Sequence, residues 1–179
     1  MDEFYEIEIA GCKRRLKKFP VSDKLDIAAF ILFGDVEITE KSAAALLEKC
    51  PDFDVILTPE AKSIPLAYEM SRQSGKKYIV ARKGLKVYMG KPLEVSERSI
   101  TTQSEQKLYL GEDDVTDLKG KKVLIVDDVI STGESLRAVE KLVEQAGGFI
   151  AAKCAVLAEG DAKDRDDIIF LNPLPLFFK

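Results

Sequence analysis

The sequence predicts an α/β fold with a doubly wound, mainly parallel sheet, and two observations support this class. From residue 54 onward, short strands alternate with amphipathic helices, which is typical of a sheet with helices on both faces. The strands are apolar throughout, as expected where both faces of the sheet are covered. The 179 residues suit a single domain, 1–179, whose core would span about 36–158.

The N-terminal part predicts two paired strands and a helix. Residues 4–9 alternate as a strand, and residues 13–21 would pair with it. A short apolar run follows at 27–33. Residues 39–50 predict a helix with Thr39 as the N-cap, because a threonine hydroxyl accepts hydrogen bonds from the first helical N–H groups.

The regular alternation then begins. Buried strands are predicted at 54–58, 77–81 and 122–126, helices at 64–73 and 133–146, and further strands at 149–157 and 168–171. The helix predicted at 133–146 has one apolar face, and Gly147 and Gly148 end it. Between these elements, residues 86–120 are polar and poorly periodic, which predicts a mobile functional loop or a protruding hairpin.

Composition excludes several kinds of chemistry. The chain has no histidine, which excludes Ser-His-Asp and Cys-His catalysis and imidazole acid–base steps. Its cysteines, Cys12, Cys50 and Cys154, are far apart in sequence and predict buried reduced thiols instead of a zinc site or a disulfide framework.

Charge and hydropathy exclude two kinds of partner. The net charge of −4 argues against duplex DNA binding, and no apolar run reaches the length of about 18 residues that a membrane span needs. The acidic, alternating start differs from a secretion signal. We therefore expect a cytoplasmic protein with no nucleic-acid and no membrane partner.

The segment that indicates function follows the strand at 122–126. Two carboxylates, Asp127 and Asp128, precede a turn of small and hydroxyl residues, 131–135, and an amphipathic helix. Backbone N–H groups at a helix N-terminus favour a phosphate, and Gly133 permits its close approach. The carboxylates would repel that phosphate, so they are expected to face neutral hydroxyls, a cation or a developing positive charge. A ribose 5-phosphate satisfies both halves.

This segment, VLIVDDVISTGES, resembles the phosphoribosyl-pyrophosphate (PRPP) motif of the type I phosphoribosyltransferases. TPEAKSIPLAYEM at 58–70 resembles the pyrophosphate loop of the adenine and xanthine branches, and YIVARKGLK at 78–86 resembles their basic strand end. The resemblance covers roughly residues 50–150. It implies the type I fold, with a variable hood from about 1–33 and 159–179 and a flexible loop at about 96–111.

The resemblance also implies roles for individual residues. The ribose and 5-phosphate of PRPP would be bound by Asp127, Asp128, Val129, Ser131, Thr132, Gly133, Glu134 and Ser135. The pyrophosphate would be bound by Glu60, Ala61, Lys62, Ser63, Arg82, Lys83 and Lys86. The catalytic residues would be Asp127, Asp128, Arg82 and Lys83. Mg²⁺ would be carried mainly by PRPP, close to the two aspartates, since no direct metal motif is present.

The implied activity is purine salvage: PRPP and a purine base, adenine favoured, would give the nucleoside 5′-monophosphate and pyrophosphate, in a homodimer. Hypoxanthine, guanine or xanthine is the alternative base. A non-catalytic sensor of PRPP or nucleotide on the same fold is the alternative class. The loop lacks the glutamate of the adenine enzymes, and Thr102 stands where the xanthine enzymes have lysine.

The base-binding residues are unknown from the sequence. The hood offers Phe170, Leu174 and Leu176 as walls for a purine, with backbone groups around Asn172 to read its edge. The same residues would equally form a hydrophobic tail packed on the core or on another subunit.

Overall fold

The computed structural model describes residues 3–98 and 105–179. The strands are β1 (Phe4–Ile9), β2 (Cys12–Ser22), β3 (Leu25–Ala28), β4 (Val55–Pro59), β5 (Lys77–Ala81), β6 (Leu93–Arg98), β7 (Glu105–Leu110), β8 (Lys122–Ile130), β9 (Phe149–Glu159), β10 (Ile169–Leu174) and β11 (Phe177–Phe178). The helices are α1 (Val36–Lys49), α2 (Ile64–Ser74), α3 (Glu112–Leu118) and α4 (Glu134–Gln145).

Five strands form a parallel sheet in the order β10-β9-β8-β4-β5, which confirms the predicted fold class. Both faces of the sheet are covered, because neighbouring residues of β4 belong to different cores. Leu57 packs with α4 and the β6–β7 hairpin, whereas Ile56 packs with α1 and α2. The chain order reverses between β4 and β8, and open α/β sheets bind their ligands beside such a reversal.

A second, antiparallel sheet in the order β1-β2-β3-β11 brings the two chain ends together. Arg14 ties this sheet to α1, because its Nε and Nη2 donate to the two carboxylate oxygens of Asp35 at 2.7 and 2.8 Å. Asp35 in turn accepts from the N–H of Ile38 and caps α1. The prediction of Thr39 as the N-cap was therefore wrong: its hydroxyl donates to the Asp35 carbonyl one turn inside the helix.

The polar stretch 86–120 contains the antiparallel hairpin of β6 and β7, one of the two predicted alternatives, and also the helix α3, which was not predicted. The residues between β6 and β7, including Thr102, lie outside the described ranges. Strand β8 does not end at Val126 but runs on to Ile130, because β9 continues beside it and pairs Ile130 with Ala158. Within 3–98 and 105–179, no helix has the length and apolar content to span a membrane.

Candidate functional site

A cavity of about 420 Å³ opens at the carboxyl ends of β4 and β8, beside the reversal of strand order. Its lining brings the two predicted halves of the site together: Pro59, Glu60, Ala61, Lys62, Ser63, Lys83, Leu108, Asp127, Asp128, Val129 and Ser135. Acidic, basic and hydroxyl groups separated by about 65 residues thus face one space. This is the arrangement that a ligand with hydroxyls and anionic groups requires.

A smaller hollow of about 100 Å³ adjoins this cavity and is formed by the turn between β8 and α4. It is lined by Asp127, Val129, Ile130, Ser131, Thr132, Gly133, Glu134, Ser135 and Leu136. Gly133 has a φ of 80° and precedes the first residue of α4, so the turn delivers backbone N–H groups and the positive end of the helix to this hollow. Its size and polarity suit a single phosphate group.

The two aspartates differ in their surroundings. The Asp128 carboxylate is buried and lies 3.0 Å from Nζ of Lys62 through its Oδ2. The Asp127 carboxylate accepts the backbone N–H of Asp128 at 2.8 Å through Oδ1. Burial, followed by the adjacent charge of Asp128, raises the pKa of Asp127 well above its ordinary value. The raised pKa means that the protonated form of Asp127 is favoured in the free protein, whereas bound ribose hydroxyls or a cation would favour its ionised form.

Buried hydroxyls hold the loop of residues 60–63, which follows β4, against β8. The Oγ1 of Thr58 lies 2.8 Å both from Oγ of Ser63 and from the carbonyl oxygen of Val126, the residue before the aspartates. Ser63 donates to the carbonyl of Pro59 at 3.0 Å. Since Thr58 and Ser63 are almost fully buried, their side chains position the loop. Because the Ser63 hydroxyl donates to Pro59, the backbone of Ser63 is the part that remains to bind pyrophosphate as predicted.

Glu60 joins the loop to the basic strand end after β5. Its carboxylate accepts the N–H of Lys83 at 2.9 Å and lies 3.2 Å from Nε of Arg82. The Lys83 N–H, and after it the Arg82 guanidinium, lower the pKa of Glu60. The Glu60–Ala61 peptide is cis. The carboxylate of Glu60 thus contacts Arg82 and, being negatively charged, does not itself bind an anion.

The remaining predicted residues divide into two groups. Lys62 and Lys83 line the cavity, whereas Arg82 and Lys86 lie outside its lining. Arg82 instead donates to the hydroxyl of Tyr88 at 2.7 Å.

The hood also differs in part from the prediction. Leu174, offered as a wall for a purine, is 1% exposed and belongs to the core, because β10 pairs along β9 up to this residue. Leu108 of the hairpin lines the cavity and was not predicted. No signal in the sequence distinguishes it from an ordinary strand residue.

The donors for a metal ion are few. Within 3–98 and 105–179, no group of three or more His, Cys, Asp or Glu side chains is placed to hold one. Oδ2 of Asp128 is nevertheless buried and accepts no well-directed hydrogen bond from the described residues. Mg²⁺ is commonly held by one or two carboxylates together with substrate phosphates, so Asp127 and Asp128 fit an ion that arrives with its substrate.

A family model described as phosphoribosyl transferase domain matches residues 36–171. Among similar proteins, an adenine phosphoribosyltransferase of Thermosipho africanus is 34% identical over 145 residues, which are 79% of this chain and 76% of the relative. A hypoxanthine/guanine phosphoribosyltransferase of Methanothermococcus okinawensis is 38% identical over 113 residues, 63% of this chain and 58% of the relative.

Solved structures have the same fold. An adenine phosphoribosyltransferase of Thermoanaerobacter pseudethanolicus superimposes with a TM-score of 0.65 at 24% identity, covering 96% of this chain and 95% of its own. The Saccharomyces cerevisiae adenine phosphoribosyltransferase, complexed with an imino-altritol bisphosphate and adenine, gives 0.68 at 19% identity, covering 95% and 92%. At these identities the superpositions establish the fold.

Proposed function

The chain belongs to the phosphoribosyl transferase domain family, and we propose that it is a purine phosphoribosyltransferase that transfers the 5-phosphoribosyl group of PRPP to adenine. The products would be the nucleoside 5′-monophosphate and pyrophosphate. The observation that best supports the proposal is that the small hollow and the larger cavity form one site. Asp127 and Ser135 line both of them, and the larger cavity also contains Asp128 and the loop with Lys62. PRPP has a phosphate, a diol and a pyrophosphate in that order.

The acidic pair orients the ribose in this proposal. Asp127 and Asp128 accept hydrogen bonds from the ribose hydroxyls, while the turn at 131–135 holds the 5-phosphate. Displacement of pyrophosphate gives the sugar cationic character, and nearby carboxylates stabilise that charge. Little proton transfer is needed, which is consistent with a chain that has no histidine.

Cationic side chains would stabilise the leaving group. Lys62 and Lys83 line the cavity on the side of the pyrophosphate loop, and both can reach an anion there. Arg82 lies behind them in contact with Glu60, so it acts at a greater distance unless this contact opens. Three positive charges and one negative charge therefore lie at this end of the cavity, from Lys62, Arg82, Lys83 and Glu60.

We also propose that the reaction depends on Mg²⁺. Bound with PRPP, the ion would neutralise charge on the departing pyrophosphate. Asp127 and Asp128 would hold it in place together with the substrate. Since the side chain of Lys62 now contacts Oδ2 of Asp128, it would turn away from the aspartate and toward the pyrophosphate when substrate binds.

Adenine is the first choice of base, and a second candidate has its own support. The relative from Methanothermococcus okinawensis is called a hypoxanthine/guanine phosphoribosyltransferase and is 38% identical to this chain, a similar level to the adenine relative. An oxopurine is therefore the alternative. A homodimer and a cytoplasmic location, both expected from the sequence, stay predictions.

A panel of bases tests the proposal. Purified protein with PRPP and Mg²⁺ would receive adenine, hypoxanthine, guanine or xanthine, and pyrophosphate release would be followed. We expect release with adenine, and none from Asp128→Asn or after chelation of Mg²⁺. Release with an oxopurine alone would favour the alternative base. Tight PRPP binding without release for any base would indicate a sensor and contradict the proposed activity.

A further inference from the structure

Two arginine side chains converge on the turn that forms the phosphate hollow. A Cβ atom placed on Gly133 would lie 2.6 Å from Nη1 of Arg165 and 4.0 Å from Nη1 of Arg137. The turn therefore has two guanidinium groups beside the glycine that precedes α4. Neither arginine is part of the sequence motif that indicated the site, and Arg165 lies 32 residues further along the chain.

Arg165 is held in a fixed orientation. Its Nε donates to Oδ1 of Asp167 at 2.8 Å, and its Nη2 donates to Oδ2 of the same carboxylate at 2.7 Å. The remaining nitrogen, Nη1, is the one that faces Gly133. Asp167 also binds Lys153, and Lys153 binds Glu140 of α4 at 2.7 Å. The guanidinium is thus anchored to the helix whose N-terminus forms the hollow.

Arg137 is placed by the helix itself. It lies one turn after Gly133, and helical side chains lean toward the N-terminus, so its guanidinium reaches back to the turn. Arg137 is exposed, and among residues 3–98 and 105–179 it has no carboxylate partner. Its charge is therefore available to an anion.

A phosphate bound at this turn would be stabilised by positive charge, and residues 131–135 supply no cationic side chain. Glu134 is one of the residues that line the hollow, and its negative charge disfavours a phosphate there. The backbone N–H groups and hydroxyls of the turn carry no net charge. We propose that Arg137 and Arg165 supply this charge and bind the 5-phosphate of the substrate, Arg137 directly and Arg165 as a fixed cation behind the turn. This inference rests on the proposed function, because that function places the phosphate here.

Calorimetry with ribose 5-phosphate tests the inference without turnover. We expect Arg137→Gln to weaken binding about tenfold, which is the size of one charge-assisted hydrogen bond. Arg165→Gln should weaken it by a smaller factor, about fivefold, because the fixed charge of Arg165 acts without a direct hydrogen bond. Arg165→Lys, which keeps the charge, should retain most of the affinity. The salt dependence of binding should become shallower in both glutamine variants, an effect that a purely structural role would not produce.

A matched control lies in the same segment. Lys163 is exposed, is two residues from Arg165, and loses the same charge in Lys163→Gln. We expect this variant to bind ribose 5-phosphate within about twofold of the wild type, as for an isolated surface charge. Should Arg165→Gln fail to fold, the exposed Arg137 carries the test, since its substitution leaves the core intact.

The outcomes separate the inference from its premise. Wild-type binding with unchanged affinity in Arg137→Gln and Arg165→Gln would overturn the inference and leave the proposed function standing. An equal loss of affinity in Lys163→Gln would overturn it too, because the overall electrostatic potential of the protein would then explain the effect. A wild-type protein that binds neither ribose 5-phosphate nor PRPP would overturn the proposed function, and the inference with it.

Discussion

Nζ of Lys62 lies 3.0 Å from Oδ2 of Asp128, so an ion pair crosses the candidate site from the loop at 60–63 to β8. The two ends differ in exposure: the lysine side chain is 55% exposed and the aspartate side chain 4%. Lys62 thus faces a buried carboxylate in the free protein, and its long, half-exposed side chain has room to leave this contact. Substrate binding, as proposed, replaces this contact by ribose hydroxyls and Mg²⁺.

Lys62→Met should affect both stability and substrate binding. It leaves the buried Asp128 without its cation, so the free energy of unfolding should fall by about 1 kcal/mol, a modest value because the lysine is half exposed. The KM for PRPP should rise. Urea denaturation and steady-state kinetics measure the two effects. Lys83→Met is the control: it lines the same cavity and should raise KM without loss of stability.

Asp127→Asn should stabilise the free protein above acidic pH. Because burial and Asp128 raise the pKa of Asp127, its ionisation costs free energy in the fold. An acid with a raised folded pKa supports the fold below its unfolded pKa of about 4, and this support is lost as pH rises through the folded value. The variant should therefore gain in Tm at neutral pH and gain little below pH 4, while ribose 5-phosphate binding is lost. An equal gain at every pH would rule out this explanation.

Glu60→Gln should weaken pyrophosphate binding through Arg82. The lowered pKa of Glu60 means that its ionised form supports the fold above its ordinary pKa, and that this support disappears as pH falls through the lowered value. The variant should lose about 1 kcal/mol at neutral pH and show a higher KM for PRPP, because Arg82 is no longer held. Glu94→Gln removes a more exposed pair with Lys107 and should change neither quantity. Identical behaviour of the two variants would disprove the positioning role.

Thr58→Val tests the buried hydroxyls behind the loop. The substitution keeps the shape of the side chain but leaves the Val126 carbonyl and the Ser63 hydroxyl without their neighbour, which should cost about 1–3 kcal/mol. Ser42→Ala is a matched control, since the Ser42 hydroxyl is also buried but has no hydrogen-bond partner among the described residues. That variant should be neutral or slightly stabilising in urea denaturation. A Thr58→Val protein as stable as the Ser42→Ala protein would show that the hydroxyl does not hold the loop.

The sequence predicted those strands and turns whose backbone conformation follows from the local residue pattern. Apolar strands at 54–58, 77–81 and 122–126 have one explanation, burial on both faces, and the structure has strands there. The aspartates and the turn at 131–135 could be assigned to a phosphate because backbone amides and a helix N-terminus follow directly from local order.

Contacts between distant segments were not predictable in this way. The continuation of β8 to Ile130 depends on pairing with β9. The Asp35 side chain that caps α1 is held by Arg14, which lies in β2 of the antiparallel sheet. The approach of Arg165 to Gly133 depends on Asp167 and on the course of the chain after β9. Such relations arise from tertiary packing, for which a local pattern contains no signal.

Phosphorus NMR of one reaction mixture would show whether the protein transfers the phosphoribosyl group to a base. Wild-type protein would be mixed with PRPP, Mg²⁺ and adenine, and all phosphorus species would be followed together. We expect AMP and pyrophosphate to appear at equal rates as PRPP disappears, and Asp128→Asn to leave PRPP unchanged. PRPP that persists with adenine and with each oxopurine in turn, or that yields ribose 5-phosphate and pyrophosphate without a nucleotide, would contradict transfer to a purine.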